Sequence, residues 1–109
     1  MNRNIPITEA KFSIGDRVKH ALLEYHGLIL DVDCHFQHRE KLPESLREAV
    51  PHQDAPWYHV MVHATQHVTY VAEPHLLADT SEEDFEHPIT EMLFDKDASG
   101  HYQHRFPLQ

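Results

Sequence analysis

The amino-acid sequence predicts a mainly β domain, five strands in a barrel-like body with one or two short helices. Three observations carry this. The first is the run Ala55-Pro56-Trp57-Tyr58-His59-Val60-Met61-Val62-His63-Ala64, the densest β-branched and aromatic stretch of the chain. Its side chains alternate, with Tyr58, Val60 and Val62 on one face and Trp57, His59, Met61 and His63 on the other. The second is a set of shorter alternating runs at 17–20, 28–34 and 68–72, each bounded by turn residues. The third is size: 109 residues with 40% hydrophobic content make one domain that buries a core but no large enclosed cavity.

Taken in order, residues 1–10 have no period and carry Pro6, so they read as a flexible arm preceding a domain over 11–109. Phe12 and Ile14 are placed to plug the bottom of the barrel, and Gly15-Asp16 supplies a turn into the first strand. Glu24-Tyr25-His26-Gly27 reads as a second turn. In the strand that follows, Leu28, Leu30, Val32 and Cys34 share one face, and Ile29, Asp31 and Asp33 the other. The two acids mark the wet face, so Cys34 is expected to pack inward as a small hydrophobe, and Leu28, Leu30, Val32, Val60 and Val62 to be largely buried.

Residues 35–54 form a polar insertion. Pro43 suits a first helical position, and Leu42, Leu46 and Val50 recur every four residues, which predicts a short helix over one end of the barrel, ended by Pro51. Pro56 precedes the organising strand, where its missing N–H disturbs no ladder. Thr65-Gln66 turns into the strand at 68–72, and Glu73-Pro74-His75-Leu76-Leu77 breaks that strand as a single turn that tucks Leu76 or Leu77 under the barrel. An acidic loop spans 79–86. Pro88 opens a short helix in which Ile89, Met92 and Leu93 share a face. Alternation of Tyr102, His104 and Phe106 predicts a last strand.

Composition narrows the function classes. Nine basic against eighteen acidic residues give a net charge of −9, a poor balance for a non-specific polyanion binder. One cysteine excludes an intramolecular disulfide and suits a reducing cytoplasm. No apolar run approaches the roughly 20 residues of a membrane span, and the N-terminus has no apolar leader-like core. The 12 histidines raise the question of metal. Cys34-His35-x-x-His38 holds residues zinc accepts, and His59 and His63 share a strand face with His67 close by. No second local pair completes either set to four ligands, so scattered histidines and no metal cofactor are expected. Asp95-Lys96-Asp97-Ala98-Ser99-Gly100 opens like a calcium loop, but Phe106 stands where a bidentate Glu belongs, and a plain turn is the expectation. There is no phosphate-binding Gly-rich loop and no nucleophile elbow, and an inward Cys34 would be a poor nucleophile, so no catalytic residue is assigned.

Several motifs resemble a known family. Lys11-Phe12-x-Ile14-Gly15-Asp16-x-Val18-x-His20, Gly27-x-Ile29-x-Asp31-Val32-Asp33, Pro56-Trp57-Tyr58-His59-Val60 and Thr69-Tyr70-Val71-Ala72-Glu73-x-His75-Leu76 occur in its order, followed by His87-Pro88 and Gly100-His101-Tyr102. The family is the hemimethylated-DNA-binding YccV-like family, which includes a bacterial heat shock protein. The resemblance implies an SH3-like five-stranded barrel that self-associates, as a trimer. It also implies two activities: binding hemimethylated DNA, and serving as a specificity factor for the ATP-dependent protease Lon. The short hairpin at 63–68 and the histidine content depart from the family pattern.

Two function classes follow. The first is a non-enzymatic cytoplasmic adaptor that engages Lon and its substrates through Tyr25, His26 and Gly27, an aromatic beside a glycine turn, and through Trp57 and His59 on the organising strand. The second is a DNA-binding module. Phosphate neutralisation needs clustered cations, and the one modest cluster is Lys11, Arg17 and Lys19 with His20. The adaptor reading ranks first, because acidic loops elsewhere would repel a duplex.

Overall fold

The computed structural model describes residues 9–81 and 84–105. The flexible arm expected at the N-terminus lies outside this range from 1 to 8, and so does Phe106 of the expected last strand. Five strands form one antiparallel sheet: β1 (Arg17–His20), β2 (His26–Asp33), β3 (Trp57–Val62), β4 (Val68–Ala72) and β5 (Leu76–Ala78). Their spatial order is β4-β3-β2-β1-β5, so β4 and β5 are the edges, and among the described residues no ladder joins them. A one-turn helix α1 (Thr90–Leu93) leads into a separate hairpin, β6 (Phe94–Lys96) and β7 (Tyr102–His104). No helix among the described residues is long and apolar enough to cross a membrane.

The sheet is covered on both faces. On one, Val18, Ile29, Tyr58, Val60, Val71 and Leu76 form a core, with Phe12, Tyr25 and Val32 at its margin. On the other, Leu28 and Met61 pack under Phe85, Phe94 and Tyr102, flanked by Ile14, Leu30, Ile89 and Leu93. Phe12 and Ile14 therefore separate, one to each core. Gly15 makes the close approach of the second core possible. Its φ is +90°, and a Cβ there would stand 2.0 Å from the Tyr102 carbonyl oxygen.

Strict alternation fails in β2, for a local reason. The β2–β3 register passes from Ile29↔Val60 to Asp31↔His59, so Leu30 is an extra residue in a β-bulge. Beyond it the phase of the strand reverses. Val32 joins Ile29 at the first core, and Asp31 and Asp33 move to the opposite face. Ile29, expected beside the acids, is fully buried. Leu30, Val32 and Val62 are only partly buried, whereas Leu28 and Val60 are fully so. Cys34, expected inside, is exposed just past the strand end. The second turn also starts earlier than expected. It spans residues 21–24, with Glu24 at φ 60°, and His26 and Gly27 already belong to β2.

The insertion carries 3-10 turns at Arg39–Lys41 and Glu44–Ala49, with no buried residue, in place of an α-helix over the core. At three residues per turn, a four-residue spacing does not keep Leu42, Leu46 and Val50 on one side, and Leu46 faces solvent. In α1, Ile89 and Leu93 meet the second core while Met92 is exposed. A single turn can bury that pair and still leave the residue 100° away on its flank. The segment expected to break β4 does so but is shorter than read: the turn covers Glu73–His75, and Leu76, buried, and Leu77, exposed, already belong to edge strand β5. Asp97 closes the β6–β7 turn by accepting from the Ser99 and His101 amides (both 2.9 Å).

Candidate functional site

The face that holds the second core changes character along β2–β4. Beyond Leu28 and Met61, register places Asp31 beside His59 and His59 beside Tyr70, then Asp33 beside Trp57. Alternation and the bulge thus bring two acids, an imidazole and two large aromatics to one end of one face. The insertion folds back over it. Phe36 lies 5.0 Å from the Trp57 ring and 6.0 Å from Tyr70, and His38 packs edge-on to Tyr70 at 4.7 Å. Trp57 stacks on Tyr70 at 5.0 Å and donates its indole N–H to the His52 carbonyl (2.9 Å). Burial of these rings supplies most of the adhesion here, with about 0.5–1.5 kcal/mol per ring pair beyond area.

A polar chain runs through the cluster. The Gln37 amide donates to the Tyr70 hydroxyl (3.2 Å), which donates to Asp33 Oδ2 (2.7 Å). Burial, and then the bond to Asp33, push the Tyr70 phenol up to about 12, so it stays protonated and keeps donating. Asp33 Oδ2 is also 3.4 Å from His59 Nε2. The His38 and His59 rings approach at 6.5 Å, and ligand atoms of Asp33, His38 and His59 all lie within 4.8 Å of one another. These three residues are the one group able to hold a metal among the described residues. It combines one residue from each of the two histidine sets weighed in the sequence with an acid from β2. Cys34 and His63 are not part of it. The calcium-like loop is a self-satisfied turn, since Asp97 Oδ1 already accepts from three donors of its own loop.

The other candidate residues gather at the opposite end. Tyr25 is half-buried against the first core, its hydroxyl 2.8 Å from Thr69 Oγ1. His26 Nδ1 lies 2.9 Å from Asp79 Oδ2. Gly27 is buried, and a Cβ there would meet Val60 Cγ1 at 2.3 Å, so its role is close packing of β2 on β3. Next to them Leu22 and Leu23 protrude from the β1–β2 turn, each 72% exposed. His20 holds that turn. Its Nδ1 accepts from the Leu22 and Leu23 amides (3.1 and 3.0 Å), and burial, with His75 stacked at 6.0 Å, lowers its pKa. It therefore adds a neutral acceptor, not a cation.

The basic set is partly neutralised, through Arg17. Arg17 pairs with Asp79 (3.6 Å), whose carboxyl stays below its ordinary value: burial opposes ionisation, but the Ser81 amide, His26 and Arg17 together outweigh it. Lys19 follows two residues on, opposite His26 and Leu77. Lys11 lies at the start of the described chain, its amide bonded to Glu73. Elsewhere Arg39, Arg47, Lys96 and Arg105 each sit against a carboxylate. Sequence reasoning did not single out Tyr70, and it weighed His38 only beside Cys34 and His35. Counting back from the 64–66 turn would have set Tyr70 opposite His59; nothing local places His38.

These motifs now have a common frame in the sheet and its covering hairpin. Residues 10–101 match the family model described as hemimethylated DNA-binding protein YccV-like, a stretch that covers the five-stranded sheet, the aromatic cluster and the β1–β2 turn. The chain belongs to the YccV-like family.

Proposed function

We propose that this chain is a non-enzymatic regulatory protein of protein quality control, an adaptor or specificity factor for the ATP-dependent protease Lon, in the manner implied by its resemblance to the heat shock protein HspQ. In this reading the fold is an SH3-like barrel, working in the cytoplasm as a homo-oligomer, a trimer. The observation that carries it is the β1–β2 end: Leu22 and Leu23 are exposed side by side, beside Tyr25 and His26, on a chain whose net charge is −9. Adjacent exposed leucines on a turn rigidly held by His20 suit contact with another protein surface. Degradation of a candidate substrate by purified Lon, with and without this protein, tests it. Stimulation that Leu22→Asp and Leu23→Asp abolish, with the fold retained by circular dichroism, supports the reading. Degradation unchanged by the wild-type chain removes it.

The second reading is binding of hemimethylated DNA, favoured by the family description. It would use Lys11, Arg17 and Lys19. With Arg17 engaged by Asp79 and His20 neutral, few phosphates can be neutralised, so binding should be weak and steeply salt-dependent. Titration of hemimethylated, fully methylated and unmethylated duplexes at two salt concentrations tests it. Lys19→Ala should flatten the salt slope. Tight binding that persists at high salt would rank this reading first.

A further inference from the structure

We infer that Asp33, His38 and His59 form a binding site for a first-row divalent metal ion of the zinc type, which ties the 35–38 loop to β2 and β3. Two imidazoles and a carboxylate are the donor set that suits such ions, and they are too few oxygens for calcium or magnesium. The geometry is nearly in place. Tetrahedral ligation at about 2.0–2.1 Å sets ligand atoms about 3.3 Å apart. Asp33 Oδ2 and His59 Nε2 already stand at 3.4 Å, and the third donor lies within 4.8 Å. Only His38 has to swing inward, and among the described residues its ring nitrogens make no hydrogen bond that would resist this.

The surroundings are those of a ligand site as well. Tyr70 donates to the same carboxylate, an outer contact that orients a ligand oxygen and holds its charge. Asp31, exposed and opposite His59, adds negative potential at the mouth. The aromatic rings of Phe36, Trp57 and Tyr70 shield one side, which raises the strength of each metal–ligand bond. Three protein ligands leave coordination positions for water. The 35–38 loop follows β2 directly, but His59 on β3 lies far along the chain from both, so an ion binding only the closed arrangement would stabilise the fold by linkage.

Calorimetric titration of the full chain with Zn²⁺ alone, in parallel with thermal unfolding, tests this. One equivalent should bind ahead of any weak sites, and should raise the melting temperature. His38→Ala and His59→Ala should each lose at least about tenfold in affinity along with the thermal increment, and Tyr70→Phe about tenfold. Cys34→Ser and His101→Ala should bind as the wild type does. His38 makes no hydrogen bond through its ring, so His38→Ala keeps the test valid if His59→Ala unfolds. Absence of a stoichiometric site up to about 100 μM Zn²⁺ would overturn the proposal. So would loss of binding in Cys34→Ser with retention in His38→Ala, which would move the metal to Cys34 and His35.

Discussion

One face of the sheet carries two regions that share strands β2 and β3, and they differ in almost every respect. Around Leu28 and Met61 the face is apolar and sealed by Phe85, Phe94 and Tyr102 from the C-terminal segment. A few residues along, around Asp33, His59 and Tyr70, it is polar and aromatic, and a loop covers it only partly. The first region excludes water completely at its centre, so it contributes stability. The second keeps charged groups half in water, where they retain the ability to bind something. The difference lies in which side chains the strands present, and the bulge at Leu30 decides that for β2.

The sharpest way to break this contrast is truncation. Met61→Ala removes a fully buried side chain and should cost about 2–5 kcal/mol in denaturant unfolding. His59→Ala, half-exposed at the other region, should cost about 1 kcal/mol or less. Equal losses would mean that both regions serve as core. Gly27→Ala comes next. Its new methyl would crowd Val60 between the strands, and about 1–3 kcal/mol should be lost through overpacking. Tyr70→Phe should cost about 1 kcal/mol, chiefly by leaving the Gln37 amide and Asp33 without their partner. Faster hydrogen exchange at Gln37, with the Leu28 amide unchanged, would confine the effect to the polar region.

Titration probes the buried polar groups of both faces without mutation. Tyr58, bonded to Glu73, and Tyr70, bonded to Asp33, are both raised to about 12 by burial and then by those bonds. Raised phenols contribute stability that is complete below their unfolded value near 10. It is lost as pH climbs from there through about 12, so unfolding midpoints should fall over that window and absorbance should show late phenolate formation. His20 works in the opposite direction. Its lowered pKa contributes stability present above about 6.5 and lost as pH falls through the folded value. The β1–β2 turn should therefore loosen on acidification, read as faster exchange at the Leu22 and Leu23 amides. The smallest effect belongs to the exposed Arg39–Glu48 pair: Arg39→Ala should change stability by no more than about 0.5 kcal/mol.

Much of the strand framework was legible in the chain. β1 and β4 fall where alternation and turn residues place them, β3 lies within the organising run, and a turn at Glu73–His75 breaks β4, although Leu76 and Leu77, read as part of that turn, form β5. These are local properties: period-two patterning, a glycine turn, a proline that cannot donate. Helical spacing over 42–50 misled, because the segment winds as 3-10 turns with no buried residue, where a four-residue spacing does not build one face. The candidate site was legible only in pieces. His59 and His38 were noticed in separate sets, and Asp33 only as a marker of the wet face.

What the sequence by itself determined is the β class, the position of most strands and the family, since each depends on residues near one another in the chain. Only the tertiary structure decided which residues meet. The extra residue at Leu30 changes which face Asp33 and Val32 take, and alternation cannot announce a phase change when both faces carry apolar side chains. The return of the 35–38 loop onto β3 and β4 decides that His38 joins Asp33 and His59. That return depends on ring packing between segments separated by tens of residues, a contact with no local signature. The pairing of Arg17 with Asp79 likewise removes one charge from an apparent cation cluster.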